Sequence, residues 1–171
     1  MKNRAFTIVE LLVVVLIIGI LAAIAVPQYQ KAIMKSRLSE AMLMVKNIKN
    51  QQELFYLQND RYAENCKELG VELPAGAGEQ GNNFALNKGS YYVYYHCNNE
   101  GNRASVSVRD KIAVSEASFL VSIETYFDRD STGAIQEMAG KSYCFSYFYG
   151  LGAEACKELG KEKRNNKAYW I

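Results

Sequence analysis

The stretch that decides the fold is Lys2–Pro27, KNRAFTIVELLVVVLIIGILAAIAVP. Two cations, Lys2 and Arg4, and one small residue, Ala5, precede an apolar run that starts at Phe6. Between Phe6 and Val26 the only ionisable side chain is Glu10. About 20 apolar residues are what an α-helix needs to cross a hydrocarbon layer roughly 30 Å thick. Cations on the short N-terminal side predict that this end stays in the cytoplasm and the remainder is exported.

Glu10 governs how the run is read. An acidic side chain inside a membrane helix costs roughly 2.5–3.5 kcal/mol at the bilayer centre by insertion scales, so it needs a partner. No cation inside the run can serve. Cleavage before Phe6 would create an α-ammonium four residues from Glu10, about one helical turn away. The same charge on an adjacent copy would neutralise Glu10 at only one axial register. A stranded carboxylate then acts as an assembly code.

Three other readings of the run compete. The first is a secretory signal peptide cut after Ala23-Ile24-Ala25, which Glu10 and the helix-forming sequence beyond Ala25 disfavour. The second is an uncleaved anchor of an unrelated domain, and the third a buried core helix. An N-terminus at Phe6, Val26 or Met1 separates these cases.

The pattern Arg4-Ala5 followed by Phe6-Thr7-Ile8-Val9-Glu10-Leu11-Leu12, with Gly19 and Pro27 downstream, resembles the N-terminus of type IV pilins and their pseudopilin relatives. The resemblance is close over residues 2–63 and looser beyond. It implies an α+β pilin fold, in which a long N-terminal helix packs on an antiparallel β-sheet with a disulfide-closed C-terminal region. It implies a leader of residues 1–5, removed between Ala5 and Phe6 by a prepilin peptidase that methylates the Phe6 amine. The family has glycine where this chain has Ala5, the smallest side chain that could replace it. Glu10 and Thr7 become the assembly residues, and Gly19 and Pro27 the candidate kinks. Residues 6–27 form the membrane half of the helix, and 28–171 the periplasmic or extracellular domain.

The implied partners are other copies of the chain in a homopolymer or mixed filament, the peptidase, inner-membrane assembly machinery and, before assembly, lipid. The precursor would sit in the inner membrane and the product in a surface pilus. A pseudopilin of a type II secretion system, forming a periplasmic pseudopilus, is the nearest alternative. An anchored binding protein that never polymerises is the alternative from another class.

Composition agrees with an exported subunit. The net charge of +2 arises from Lys2 and Arg4, since 20 cations stand against 18 anions in the 171 residues. Without those two the chain is balanced, which does not select nucleic acid or an acidic surface. The basic run Lys161, Lys163, Arg164 and Lys167 is interleaved with Glu154, Glu158 and Glu162 and reads as a solvated face.

The 4 cysteines, Cys66, Cys97, Cys144 and Cys156, all lie on the exported side and suggest two disulfides, with three pairings available. The sequential pairs, Cys66 with Cys97 and Cys144 with Cys156, are favoured. The second would close a loop of about 13 residues, worth roughly 3 kcal/mol in the chain-entropy model. Zinc is disfavoured, because no two cysteines are two to four residues apart and His96 is the sole histidine.

After Pro27, Met34, Leu38, Ala41, Val45, Ile48, Gln52 and Phe55 recur at steps of four and three, one apolar stripe. They predict one helix from about Phe6 to about Leu57, loosened at Gly19 and Pro27. Asn59-Asp60-Arg61-Tyr62 ends it, a short helical turn covers 63–69, and 70–90 reads as a long surface loop. Strands are predicted at Tyr91–Cys97, Ala104–Arg109, Ser118–Phe127, Ala134–Met138 and Tyr143–Tyr149, and a helix at Ala153–Leu159.

Nothing in this sequence pairs a nucleophile with a base, and lone His96 reads as a strand residue, so no enzyme and no cofactor is expected. Asp128-x-Asp130-x-Thr132-Gly133 is similar to the first half of a calcium loop, but Ala139 stands where the bidentate acid belongs. Asp128 and Asp130 remain a weak calcium candidate, encouraged by the calcium held near this region in some pilins. The 12 tyrosines, many within Tyr91–Tyr95 and Tyr143–Tyr149, read as sheet packing in preference to adhesion or ligand stacking.

Overall fold

The computed structural model describes residues 7–81, 83–97, 102–110, 120–130, 132–146, 151–160, 162–165 and 168–171. The predicted cleavage junction Ala5–Phe6 and its flanking cations Lys2 and Arg4 lie outside them. The chain divides into one unit ending at Ile33 and another running from Met34 to Ile171.

Helix α1, Ile8–Asn59, is unbroken at Gly19 and Pro27. Pro27 supplies no N–H, so the carbonyl one turn earlier receives no helical bond. In the first unit every residue from Ile8 to Gln30 is exposed, Ile8 by 82%. A helix apolar all round finds no solution to burial within one subunit; it must be covered from outside.

In the second unit the same helix behaves as an amphipathic element. Met34, Leu38, Ala41, Val45, Ile48 and Gln52 are buried, one residue per turn on one face, while Phe55 is half-buried. They join the inward residues of the sheet in one core, among them Val93, Val106, Val108, Val121 and Ile123. After α1, helix α2 (Cys66–Leu69) is capped by Asn65, whose side chain accepts from the Glu68 N–H, and is closed by Gly70 in the left-handed conformation.

Among the described residues eight antiparallel strands form the sheet: β1 (Gly78–Gln80), β2 (Asn83–Asn87), β3 (Tyr91–His96), β4 (Arg103–Asp110), β5 (Leu120–Tyr126), β6 (Ser142–Ser146), β7 (Glu162–Asn165) and β8 (Ala168–Trp170). Their order, β1-β2-β3-β4-β5-β6-β8-β7, is a meander until the last pair, where β8 lies between β6 and β7. Helix α3 spans Leu151–Leu159. Val93 faces Val108, Tyr95 faces Val106, and Ile123 pairs with both Val106 and Cys144, so alternate residues of four strands build the inner face. Disulfides join Cys66 to Cys97 and Cys144 to Cys156.

Two local expectations are corrected. Residues 70–90 are not one loop but contain β1 and β2. Phe84 pairs with Tyr95 and Leu86 with buried Val93, so the short run NFALN gains its order from the sheet edge beside it. Ala134–Met138 is not a strand: Ile135 makes a single bridge with Arg129, and turns follow. Its backbone partners are claimed by side chains. Asp130 Oδ1 accepts from the N–H groups of Thr132 (2.9 Å) and Ala134 (3.1 Å), and Gln136 Nε2 donates to the carbonyls of Phe127 and Arg129. The charged segment read as solvated contributes β7 at the sheet edge, a common place for charge.

Candidate functional site

The only acidic side chain in the apolar half of α1 sits in its first turn. Thr7 precedes the helix, and its hydroxyl accepts from the Glu10 N–H at 3.2 Å. The Glu10 carboxylate reaches back to accept from the Thr7 N–H at 2.9 Å and the Thr7 hydroxyl at 2.8 Å. This is a reciprocal capping box, in which an N-cap threonine and an acid three residues on satisfy each other's orphan groups. It aims one carboxylate oxygen at the helix N-terminus, where the aligned peptide dipoles favour negative charge. The pattern T-x-x-E before an apolar run is a sequence signature of such a cap and could have been read there.

Every group in this arrangement is exposed, and the cap leaves the second carboxylate oxygen, Oε1, without a bond from Thr7. Among the described residues a Cβ at Gly19 would meet nothing within 4 Å, so no close packing there demands glycine. The second unit carries another outward apolar feature. Leu43, Leu54 and Leu57 are 73%, 52% and 75% exposed on the side of α1 away from the core, with Asn47 and Asn50 between them.

The other candidate residues fall into structural roles. The Asp128 carboxylate is held by the Lys49 ammonium at 2.7 Å, and its N–H donates to Glu53 Oε1 at 2.7 Å. The Tyr62 hydroxyl donates to Glu53 and accepts from the Arg129 N–H at 3.0 Å. The Thr132 hydroxyl, the Thr132 N–H and then the Ala134 and Gly133 N–H groups hold Asp130 below the usual aspartate range. Asp128 thus pins the loop to α1 while Asp130 braces the loop internally, with an ammonium where a calcium ion would need the first carboxylate. Among the described residues no three His, Cys, Asp or Glu side chains group as a metal site.

His96 is half-buried at the end of β3. Tyr95 and Tyr143 are buried, and Tyr92 and Tyr94 stack at 6.1 Å, while Tyr147 and Tyr149 lie outside the described residues. Gln52 is a buried polar residue inside the stripe. Its Nε2 donates to the carbonyls of Ala63 (3.0 Å) and Cys97, and its Oε1 accepts from the Ala63 N–H at 2.8 Å.

The described residues thus combine an α+β domain with a helix whose first half is apolar on every side, long and apolar enough to cross a membrane, and bears one capped carboxylate. Residues 1–26 match the model described as the prokaryotic N-terminal methylation motif. Over 83 residues the chain is 42% identical to the type IV major pilin protein PilA of Myxococcus xanthus, covering 48% of this chain and 36% of that protein. It is 38% identical over 72 residues to the type IV major pilin protein PilE1 of Neisseria gonorrhoeae, covering 42% of this chain and 44% of that one. Over 40 residues it is 59% identical to the type IV major fimbrial protein FimA of Dichelobacter nodosus, covering 23% of this chain and 26% of that one. The chain thus spans less than half the length of these relatives. No solved structure matches it significantly. In its N-terminal segment the chain is similar to type IV major pilins.

Proposed function

We propose that this chain is a structural, non-catalytic subunit of a type IV pilus, held in the inner membrane as a precursor and polymerised through α1. The observation that carries the reading is the exposed apolar half of α1 with Glu10 as its single acid, a surface that no other described residue covers. Lipid covers it first. On assembly, helix–helix packing replaces lipid contacts, and the apolar surface alone gives little preference between the two. The charge supplies the preference.

Cleavage between Ala5 and Phe6 by a prepilin peptidase would place a methylated ammonium on Phe6. That cation, on a neighbouring subunit, would take the Glu10 carboxylate in a low-dielectric surround, where an ion pair is strong and an unpaired carboxylate costly. Thr7 orients the carboxylate toward the helix N-terminus, where the incoming ammonium must sit. The outward leucines Leu43, Leu54 and Leu57 extend the contact surface along the same helix. Gly19 and Pro27 mark the stretch of α1 with the weakest helical bonding, which suits a filament that lengthens under load.

The test is Glu10→Ala in the native host, followed by electron microscopy and N-terminal sequencing. The expected result is a subunit that is inserted, cut to begin at Phe6 and folded, but absent from filaments. Normal filaments from that variant would remove the mechanism.

A further inference from the structure

A buried acid that assembly does not use lies on the side of the sheet opposite the core. Alternation along β5 sends Val121 and Ile123 into the core and Glu124 to the other face, yet Glu124 is only 8% exposed. Its row across the sheet runs to Tyr143 on β6 and on to Trp170 on β8. The Tyr143 hydroxyl donates to Glu124 Oε2, and Arg103 Nε holds the same oxygen at 2.8 Å, the cation that a buried carboxylate requires. The Tyr143 ring meets Trp170 edge-on at 5.8 Å and Tyr126 tilted at 5.9 Å.

Burial first, then the bond to Glu124 and its negative charge, raise the Tyr143 phenol above the usual tyrosine range, so it stays protonated at neutral pH. A phenol that loses an electron becomes a strong acid, and a carboxylate already in hydrogen-bond reach takes the proton as the electron leaves. Indole and phenol are the aromatic side chains that surrender an electron most readily. Trp170 is the single tryptophan of the chain, half-buried and in ring contact with that phenol.

We propose that Trp170, Tyr143 and Glu124 form a one-electron relay that repairs oxidised Trp170. A peroxyl radical at the surface takes one electron from the indole, becomes a peroxide anion and leaves an indolyl radical cation. Tyr143 returns that electron, and its phenol proton crosses to Glu124 Oε2. Indole is restored, and the products are a neutral phenoxyl radical and a neutral carboxyl group. A one-electron reductant of the ascorbate class then reduces the phenoxyl, and Glu124 gives the proton back. The Lys141 ammonium, 6.0 Å from the Trp170 ring, opposes positive charge on the indole and so favours transfer inward. The relay stands apart from α1 and from assembly.

The test is flash photolysis of the full chain in phospholipid nanodiscs, with photogenerated tris(bipyridine)ruthenium(III) as the oxidant. Indolyl and phenoxyl radicals absorb in separate bands, and the single tryptophan assigns the first to Trp170. The expected trace is loss of the indolyl band with a matching phenoxyl rise, at a rate independent of protein concentration and slower in heavy water. Tyr143→Phe should abolish that rise and leave a long-lived indolyl radical. Glu124→Gln keeps the shape, loses the charged acceptor and should slow the step. An indolyl decay unchanged by Tyr143→Phe, or one that scales with protein concentration, overturns the proposal. So does an equal rate in heavy water, which the unmodified chain reports without any variant. Tyr126→Phe should leave the rate in place; loss of the phenoxyl rise there would put the hole on Tyr126 and overturn the relay equally.

Discussion

The two halves of α1 are one continuous helix with opposite relations to their own subunit. From Ile8 to Gln30 nothing is buried; from Met34 to Gln52 one residue in each turn is. The first half is apolar on all sides and so has no face to choose. The second half alternates apolar and charged positions and so has one. Folding therefore draws on residues after Ile33, while Ile8–Gln30 contribute no buried residue to it. Defects in the two halves should separate into assembly defects and folding defects.

The largest contrast is expected at Glu10. Glu10→Ala should abolish filaments in a sedimentation or imaging assay, yet leave the unfolding of the buried core from Met34 on in place, because the cap it breaks bonds only Thr7 in the first turn of α1. Next comes a matched leucine pair. Leu38→Ala removes a fully buried side chain and should cost about 2–5 kcal/mol in denaturant unfolding, whereas Leu16→Ala, 58% exposed, should leave the midpoint in place. Equal effects of the two would erase the distinction between the halves.

Gln52→Ala tests the polar member of the buried stripe. It strands the Ala63 N–H and the Ala63 and Cys97 carbonyls, so a loss of about 1–3 kcal/mol is expected, with faster amide exchange at Ala63. The smallest effect is a local one at Asp130, whose folded-state pKa is lowered by Thr132 and the following N–H groups. A lowered carboxyl pKa stabilises above the unfolded value of about 3.9 and loses that contribution as pH falls through the lower folded value. Amide protection at Thr132 and Ala134 should thus hold at neutral pH and fade in strong acid. Asp130→Asn should carry a weakened loop at every pH.

The buried stripe could be read from the sequence because helical spacing repeats over five turns, and Met34, Leu38, Ala41, Val45, Ile48 and Gln52 keep it. β3, β4 and β5 were legible for the same reason, as runs rich in tyrosine and valine with period two. β1 and β2 were not. Gly78-Glu79-Gln80 has no strand preference of its own, and NFALN becomes a strand only because β3 offers it an edge. The segment after Gly133 failed in the opposite direction, since Asp130 and Gln136 take the backbone partners a strand there would need. At the candidate site the oddity of Glu10 was plain from composition alone. The reciprocal bonds with Thr7 needed the T-x-x-E pattern to be recognised as a cap.

What the sequence determined unaided is everything that depends on near neighbours along the chain. The apolar run, its single acid and the face of the helix beyond it are set by spacing within a few turns, so they hold whatever the rest of the chain does. Tertiary structure alone decided the partners that are distant in sequence. Which of three cysteine pairings forms, which weak segments join the sheet, and which carbonyls Gln52 ties together follow from bringing far residues into one core. Loop closure makes such contacts costly singly and stable only together, and no local pattern records that collective choice.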